Sequence, residues 1–257
     1  MNSKSIGFFD SGIGGITILN SIIKLLPNEN TIYLADSINS PYGTKSNEEL
    51  IKICKKNVEF LINSGCKLIV IACNTATTNS ISYLRQNYKI PFIGIEPAIK
   101  PAALNTKTGK IGVLATNGTL GSNLFEKTST LHGQNIEIIE KQVNGLVELI
   151  EKGIFSGSKI DILLEKYITP MINIGIDKLV LGCTHYPLVI NSIEKITKKT
   201  IEVLECSHPV ALQTKKILCS LNLENLEKTE IKNIFYTNGN DNILKAMLDE
   251  KFEIFKI

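Results

Sequence analysis

The sequence predicts an α/β protein of two similar lobes, each with a mostly parallel central sheet. Three observations carry that expectation. Short apolar runs alternate with helical-period segments along the chain. A faint internal repeat relates the two halves. At roughly 150 residues per domain, 257 residues accommodate about two. With 43% hydrophobic and 21% charged residues, there is material for a sizeable core, which argues against a disordered or disulfide-dense chain.

In chain order, strands are expected at residues 6–9, 32–35, 68–72, 92–95, 111–115, 136–139, 178–181, 201–204 and 231–236. Amphipathic helices fill the intervals. The clearest, Asn47–Asn63, carries Leu50, Ile51, Cys54, Val58, Leu61 and Ile62 at helical spacing. The repeat pairs Ile6-Gly-Phe-Phe-Asp-Ser-Gly with Ile111-Gly-Val-Leu-Ala-Thr-Asn. It also pairs Lys67-Leu-Ile-Val-Ile-Ala-Cys73-Asn-Thr with Lys178-Leu-Val-Leu-Gly-Cys183-Thr-His. Two like lobes would each present a cysteine at the same place.

The net charge of +3 is scattered rather than gathered into a basic stripe, so nucleic acid is not an implied partner. Apolar runs such as residues 68–73 fall far below the roughly 18 residues of a membrane helix, and residues 1–15 lack the apolar region of a signal peptide. A cytoplasmic enzyme or binding protein is expected. Six cysteines without a CxxC pair point to reduced thiols instead of a disulfide framework or a zinc site, and no metal is expected.

Cys73-Asn74-Thr75 and Cys183-Thr184-His185 each stand where a buried strand ends and a helix should begin. Open α/β sheets bind ligands at the carboxyl ends of their strands. A helix N-terminus adds free N–H groups and positive potential, which lower a thiol pKa and gather a carboxylate. The symmetric pair is therefore read as functional, and Cys54, Cys66, Cys206 and Cys219 as small buried hydrophobes. His185 is close enough to Cys183 to help move a proton, while His132 and His208 are read as structural.

Asp10-Ser11-Gly12-Ile13-Gly14-Gly15 follows the first strand, where its glycines permit a tight turn and close backbone approach. It is not a nucleotide loop: the spacing is not GxGxxG, and Asp10 would repel a phosphate. An acid there suits a catalytic or ammonium-binding role. Ser40-Pro41-Tyr42-Gly43-Thr44 reads by composition as a surface turn. Thr116-Asn-Gly-Thr119 offers hydroxyls at a strand end or a helix cap. Glu151, closing the run that begins Leu146-Val-Glu-Leu-Ile, looks like any solvated helix carboxylate, Glu148 included.

Set in order, these boxes resemble the glutamate racemases of the cofactor-independent aspartate/glutamate racemase superfamily over nearly the whole chain. The matching segments are Gly7-Phe8-Phe9-Asp10-Ser11-Gly12-Ile13-Gly14-Gly15, Tyr33-Leu34-Ala35-Asp36, Pro41-Tyr42-Gly43, Ala72-Cys73-Asn74-Thr75-Ala76, Gly94-Ile95-Glu96-Pro97, Gly112-Val113-Leu114-Ala115-Thr116 and Leu181-Gly182-Cys183-Thr184-His185-Tyr186-Pro187-Leu188. The resemblance implies two pseudo-symmetric α/β domains with the active site in the cleft between them. Residues 1–97 with 207–257 would form the first and 98–206 the second, and many members are homodimers.

It also implies Cys73 and Cys183 as paired acid/base thiols, assisted by Asp10 on one side and by Glu151 and His185 on the other. Substrate binding falls to Asp10, Ser11, Tyr42, Gly43, Asn74, Thr75, Thr184 and His185, with no cofactor. The implied role is supplying D-glutamate for peptidoglycan. The chain departs from the usual pattern at Val143-Asn144, Leu120, Phe125 and Leu204-Glu205-Cys206-Ser207.

The chemistry fits that arrangement. Inverting an α-carbon removes its hydrogen from one face and returns one to the other, so two bases must flank the substrate. Without pyridoxal phosphate as electron sink, the carbanion relies on desolvation and on hydrogen bonds to the substrate carboxylate from Ser11, Asn74, Thr75 and Thr184. Three other readings stay open: an aspartate racemase, a hydrolase using Cys183 with His185 and dispensing with Cys73, and a two-lobe binding protein with spectator thiols.

Overall fold

Apolar runs such as Leu68–Ile71 have no polar face, so they are stable only where both faces of a sheet are covered. The computed structural model, which describes residues 3–226, 230–248 and 252–257, builds two such sheets. The chain begins with β1 (Ile6–Asp10), α1 (Ile16–Leu25), β2 (Thr31–Ala35), α2 (Asn47–Asn63), β3 (Leu68–Ile71), α3 (Asn74–Asn87) and β4 (Phe92–Gly94). It continues with α4 (Ile99–Asn105), β5 (Lys110–Ala115), α5 (Asn117–Leu120), α6 (Asn123–His132), β6 (Glu137–Gln142), α7 (Leu146–Ile150), α8 (Ser158–Ile174) and β7 (Lys178–Gly182). It ends with α9 (Ile190–Thr197), β8 (Glu202–Leu204), α10 (Ser207–Ser220), β9 (Asn233–Thr237), α11 (Asn242–Met247) and β10 (Phe252–Lys256).

The larger sheet has the order β10-β9-β2-β1-β3-β4 and the smaller β6-β5-β7-β8, with every pairing parallel. Within them β2-β1-β3-β4 and β6-β5-β7-β8 have one topology, so the repeat in sequence is a repeat in space. β9 extends the first sheet beside β2.

Alternate residues of each strand face opposite layers. In the first sheet Phe8, Tyr33 and Val70 pack with Ile18, Leu19 and Ile22 of α1, whereas Phe9, Leu34, Ile69 and Ile71 pack with Leu50, Cys54, Val58 and Leu61 of α2. In the second sheet Leu179 and Leu181 face Leu164 and Ile168 of α8, and Val113 and Val180 face Ile99 of α4 and Phe125 of α6. Each buried Leu, Ile or Phe contributes about 1.5–3 kcal/mol. The expected helix Asn47–Asn63 forms with those bounds. A capping box starts it: Glu49 N–H donates to Ser46 Oγ at 3.3 Å and Ser46 N–H to Glu49 Oε2 at 2.9 Å.

Three expectations are corrected. β10 is an additional strand, lying at the sheet edge with its residues mostly exposed or half-buried, so its pattern lacks the apolar run of a central strand. Cys219 is exposed, because it lies beside buried Leu218 on the outward face of α10. After Cys183 the chain forms a 3-10 turn, Tyr186–Val189, with Pro187 near its start, before α9 begins. Cys54, Cys66 and Cys206 are buried as expected, and burial pushes each thiol up to about 12. No helix among the described residues is long and apolar enough to cross a membrane.

Candidate active site

The carboxyl ends of β1, β3, β5 and β7 bring Ser11, Cys73, Thr116 and Cys183 to one cavity between the sheets. Tyr42, Gly43, Asn74, Thr75 and His185 also wall it, as do Pro41 and Val147. Its volume is about 10 Å³, room for about one water molecule. A wider vestibule of about 300 Å³ adjoins it and shares Pro41, Gly43, Thr116 and Val147 as the dividing wall.

Cys73 caps α3, the helix that carries Asn74 and Thr75 on its first turn. Both polar atoms of the Asn74 side chain, 2% exposed, lack a partner among the described residues. A buried amide left unpaired costs about 1–3 kcal/mol, so this one has a donor and an acceptor to offer a polar group entering the cavity. Burial pushes the Cys73 thiol well above its ordinary value, and the neighbouring Asp10 carboxylate adds to the shift against the opposing Ala76 N–H. Cys73 therefore rests as a thiol.

Asp10 is fully buried behind Cys73. It accepts from Ser11 N–H at 2.7 Å and Gly15 N–H at 2.6 Å, and the Thr184 hydroxyl donates to it at 3.4 Å. Burial raises its pKa, while His185 and these N–H donors oppose the rise.

On the opposite wall, Cys183 Sγ lies 3.8 Å from His185 Nδ1, and His185 Nε2 lies 2.6 Å from Glu151 Oε1. Burial alone would lower the His185 pKa. The hydrogen bonds with Cys183 and Glu151 outweigh it and hold the imidazole well above 6.5, as a cation. Glu151 Oε1 also accepts from Ile13 N–H at 2.8 Å, so one carboxylate joins the loop after β1 to the turn after β7. Glycine is required at two points of this approach, since a Cβ on Gly12 would strike the Glu151 carboxylate and one on Gly14 the His185 ring.

Of the residues singled out from sequence, Asp10, Glu151 and Thr184 stand behind the cavity wall, and the others line it. Three lining residues were not among them: Pro41, Thr116 and Val147. Thr116 caps α5 as expected, accepting from Thr119 N–H at 3.3 Å, but it also faces the cavity, and its hydroxyl meets Thr75 Oγ1 at 2.8 Å. Val147 comes from an apolar helix with no polar signal to announce it. Among the described residues, no group of His, Cys, Asp and Glu is placed to hold a metal ion.

The family model for Asp/Glu/hydantoin racemases matches residues 15–208. The chain belongs to this racemase family. The glutamate racemase of Clostridium novyi is 42% identical over 244 residues, covering 93% of this chain and 94% of the relative. Among solved structures, the glutamate racemase isoform RacE1 from Bacillus anthracis superposes with a TM-score of 0.88 at 30% identity, over 100% of this chain and 98% of that one. The glutamate racemase from Francisella tularensis, solved in complex with D-glutamate, has a TM-score of 0.85 at 30% identity, over 99% and 98%. As in those racemases, the chain carries an α/β fold, and its two parallel sheets flank the cysteine-bearing cavity.

Proposed function

We propose that this racemase interconverts L- and D-glutamate without a cofactor, with Cys73 and Cys183 acting as bases on opposite faces of the α-carbon. The observation that carries the reading is the pair of cysteines. They come from equivalent strand ends of two like sheets, are 6% and 7% exposed, and wall the cavity that also holds the unpaired Asn74 amide. The glutamate racemase relatives, one of them solved with D-glutamate, support the substrate.

Glutamate is far larger than the cavity, so the lobes part to admit it through the vestibule. Ser11, Asn74 and Thr75 of the cavity wall take the α-carboxylate and ammonium, Thr184 backs them through its bond to Asp10, and Thr116 with the Tyr42–Gly43 turn closes around the side chain. Closure removes water and strengthens every dipole aimed at the substrate carboxylate, where charge grows as the α-hydrogen leaves. One cysteine, as thiolate, abstracts that hydrogen; the other, as thiol, donates its own to the opposite face. Negative charge on Cys183 is met by the His185 imidazolium 3.8 Å away. Following the resemblance, Cys183 takes the hydrogen of L-glutamate and Cys73 that of D-glutamate, each acting as the thiolate in its own direction.

On this reading the first lobe comprises residues 1–97 with 207–257 and the second 98–206. The enzyme works in the cytoplasm as a homodimer and supplies D-glutamate for peptidoglycan. A chiral assay with purified protein and either glutamate enantiomer, no cofactor added, tests it. Racemisation in both directions is expected, and kcat/KM for aspartate equal to that for glutamate would transfer the assignment to aspartate. The series Cys183, His185, Glu151 also has the order of a thiol hydrolase. That reading requires Cys73→Ala to keep its turnover.

A further inference from the structure

Asp36 is a buried carboxylate that the two-thiol chemistry leaves unused. It follows β2 and is 1% exposed. Oδ2 accepts from the Tyr42 hydroxyl at 2.5 Å and from Asn39 Nδ2 at 3.0 Å. Oδ1 accepts from Asn238 Nδ2 at 2.6 Å and from the same Asn39 amide at 2.8 Å. Asn57 of α2 donates to Tyr42 Oη at 2.9 Å and lies 3.4 Å from Oδ2. The Asp36 N–H donates to the carbonyl of Asp10 at 3.0 Å.

The donors Asp36 receives are a phenol and amides, all neutral. Burying a carboxylate is costly, and a neutral oxygen would suffice to seal the space. What the charge adds is acceptor strength and number: both oxygens can be saturated, and a charge-assisted hydrogen bond is about twice as strong as a neutral one. Here that strength fixes a residue of the pocket. Tyr42 is 1% exposed and walls the cavity with Cys73. Burial and the Asp36 charge push its pKa far above 10, so it stays a donor. Asn238 completes the mount, accepting from Ile38 N–H at 3.0 Å.

We propose that Asp36 is a positioning residue of the racemase pocket. Through the Tyr42 hydroxyl it fixes the Tyr42–Gly43 turn against Cys73, and through Asn238 it ties that turn to the end of β9. This gives the returning C-terminal segment a part in shaping the pocket, and it rests on the racemase reading above.

The test is a double-mutant cycle on kcat/KM for glutamate with wild type, Asp36→Asn, Tyr42→Phe and the double variant, with Tm measured for each. Asp36→Asn turns one acceptor into a donor facing donors, so kcat/KM should fall about tenfold or more. Tyr42→Phe should fall similarly, and the double variant should be no worse than the worse single, because both changes break one contact. Losses that multiply, or an Asp36→Asn variant with lowered Tm and unchanged kcat/KM, would overturn the proposal.

If Asp36→Asn does not fold, Asn238→Ala replaces it. It should give a smaller loss that disappears in the Tyr42→Phe background, and an equal loss in both backgrounds counts against the proposal. Alkylation of Cys73 by iodoacetamide, followed by mass spectrometry, reads the mount without turnover: loosening the turn should speed it severalfold, and an unchanged rate contradicts the proposal. Absence of racemisation by wild type would instead defeat the racemase reading alone.

Discussion

Cys73 and Cys183 occupy the same topological position in two like sheets, yet their surroundings are opposite in charge. Behind Cys73 stands a buried carboxylate, Asp10, and Cys73 is the N-cap residue of a helix of 14 residues. Beside Cys183 stands an imidazolium, His185, backed by Glu151, and the chain continues into a 3-10 turn. The shared strand order places a cysteine at the same point of each sheet, while the neighbouring side chains give each thiol a different charge to face. A reaction between mirror images needs two competent bases, and this pair differs in make-up. Because enantiomers have equal energy, kcat/KM must be the same in both directions for every variant. The difference between the two sides is visible only in kcat, in KM and in isotope effects.

The largest effect should come from removing either sulfur. Cys73→Ala and Cys183→Ala should each abolish racemisation from both enantiomers in a chiral assay, and near-normal turnover by either would break the comparison. Next comes the imidazolium. His185→Asn should lower kcat/KM about a hundredfold or more in both directions. Its kcat should fall unequally for L- and D-glutamate, and equal kcat losses would show that His185 serves both thiols alike.

Glu151→Gln keeps the shape but weakens a charge-assisted hydrogen bond worth about 1.5–3 kcal/mol, so a loss of roughly ten- to a hundredfold in kcat/KM is expected. The smallest effect is on stability. His185 binds its proton more tightly in the folded state than at its ordinary pKa of 6.5. Its contribution is therefore complete below about pH 6.5 and fades as pH rises through the higher folded value. The Tm difference between wild type and His185→Asn should shrink over that range, and a difference that grows with pH would contradict the cationic imidazole.

Much of the fold was legible because buried parallel strands are written as uninterrupted apolar runs, such as Leu68–Ile71 and Lys178–Gly182. β10 was not, since an edge strand carries charged and half-exposed residues. The cysteine pair could be read from the repeat; the glycines after β1 were read as admitting a ligand, whereas Gly12 and Gly14 admit the Glu151 and His185 side chains. The resemblance assigned Glu151 its place, but nothing local distinguished it from Glu148. Its position depends on Ile13 N–H and His185 Nε2, contacts 138 and 34 residues away. Tyr42 read as a surface turn by composition, yet it is buried, because Asp36 at the end of β2 and Asn57 of α2 bond its hydroxyl, and Asn238, 202 residues from Asp36, holds that carboxylate in place.

Two thiols flanking one α-carbon dictate the fate of hydrogen in D2O. With wild-type protein and protiated L-glutamate, the D-glutamate formed early should carry solvent deuterium at the α-carbon. Recovered L-glutamate should keep its hydrogen, because a carbanion that reverts recovers the proton held by the monoprotic thiol that took it. The same should hold starting from D-glutamate. Deuterium washing into recovered substrate, with original hydrogen carried into product, would mean a single base serves both faces and would contradict the account.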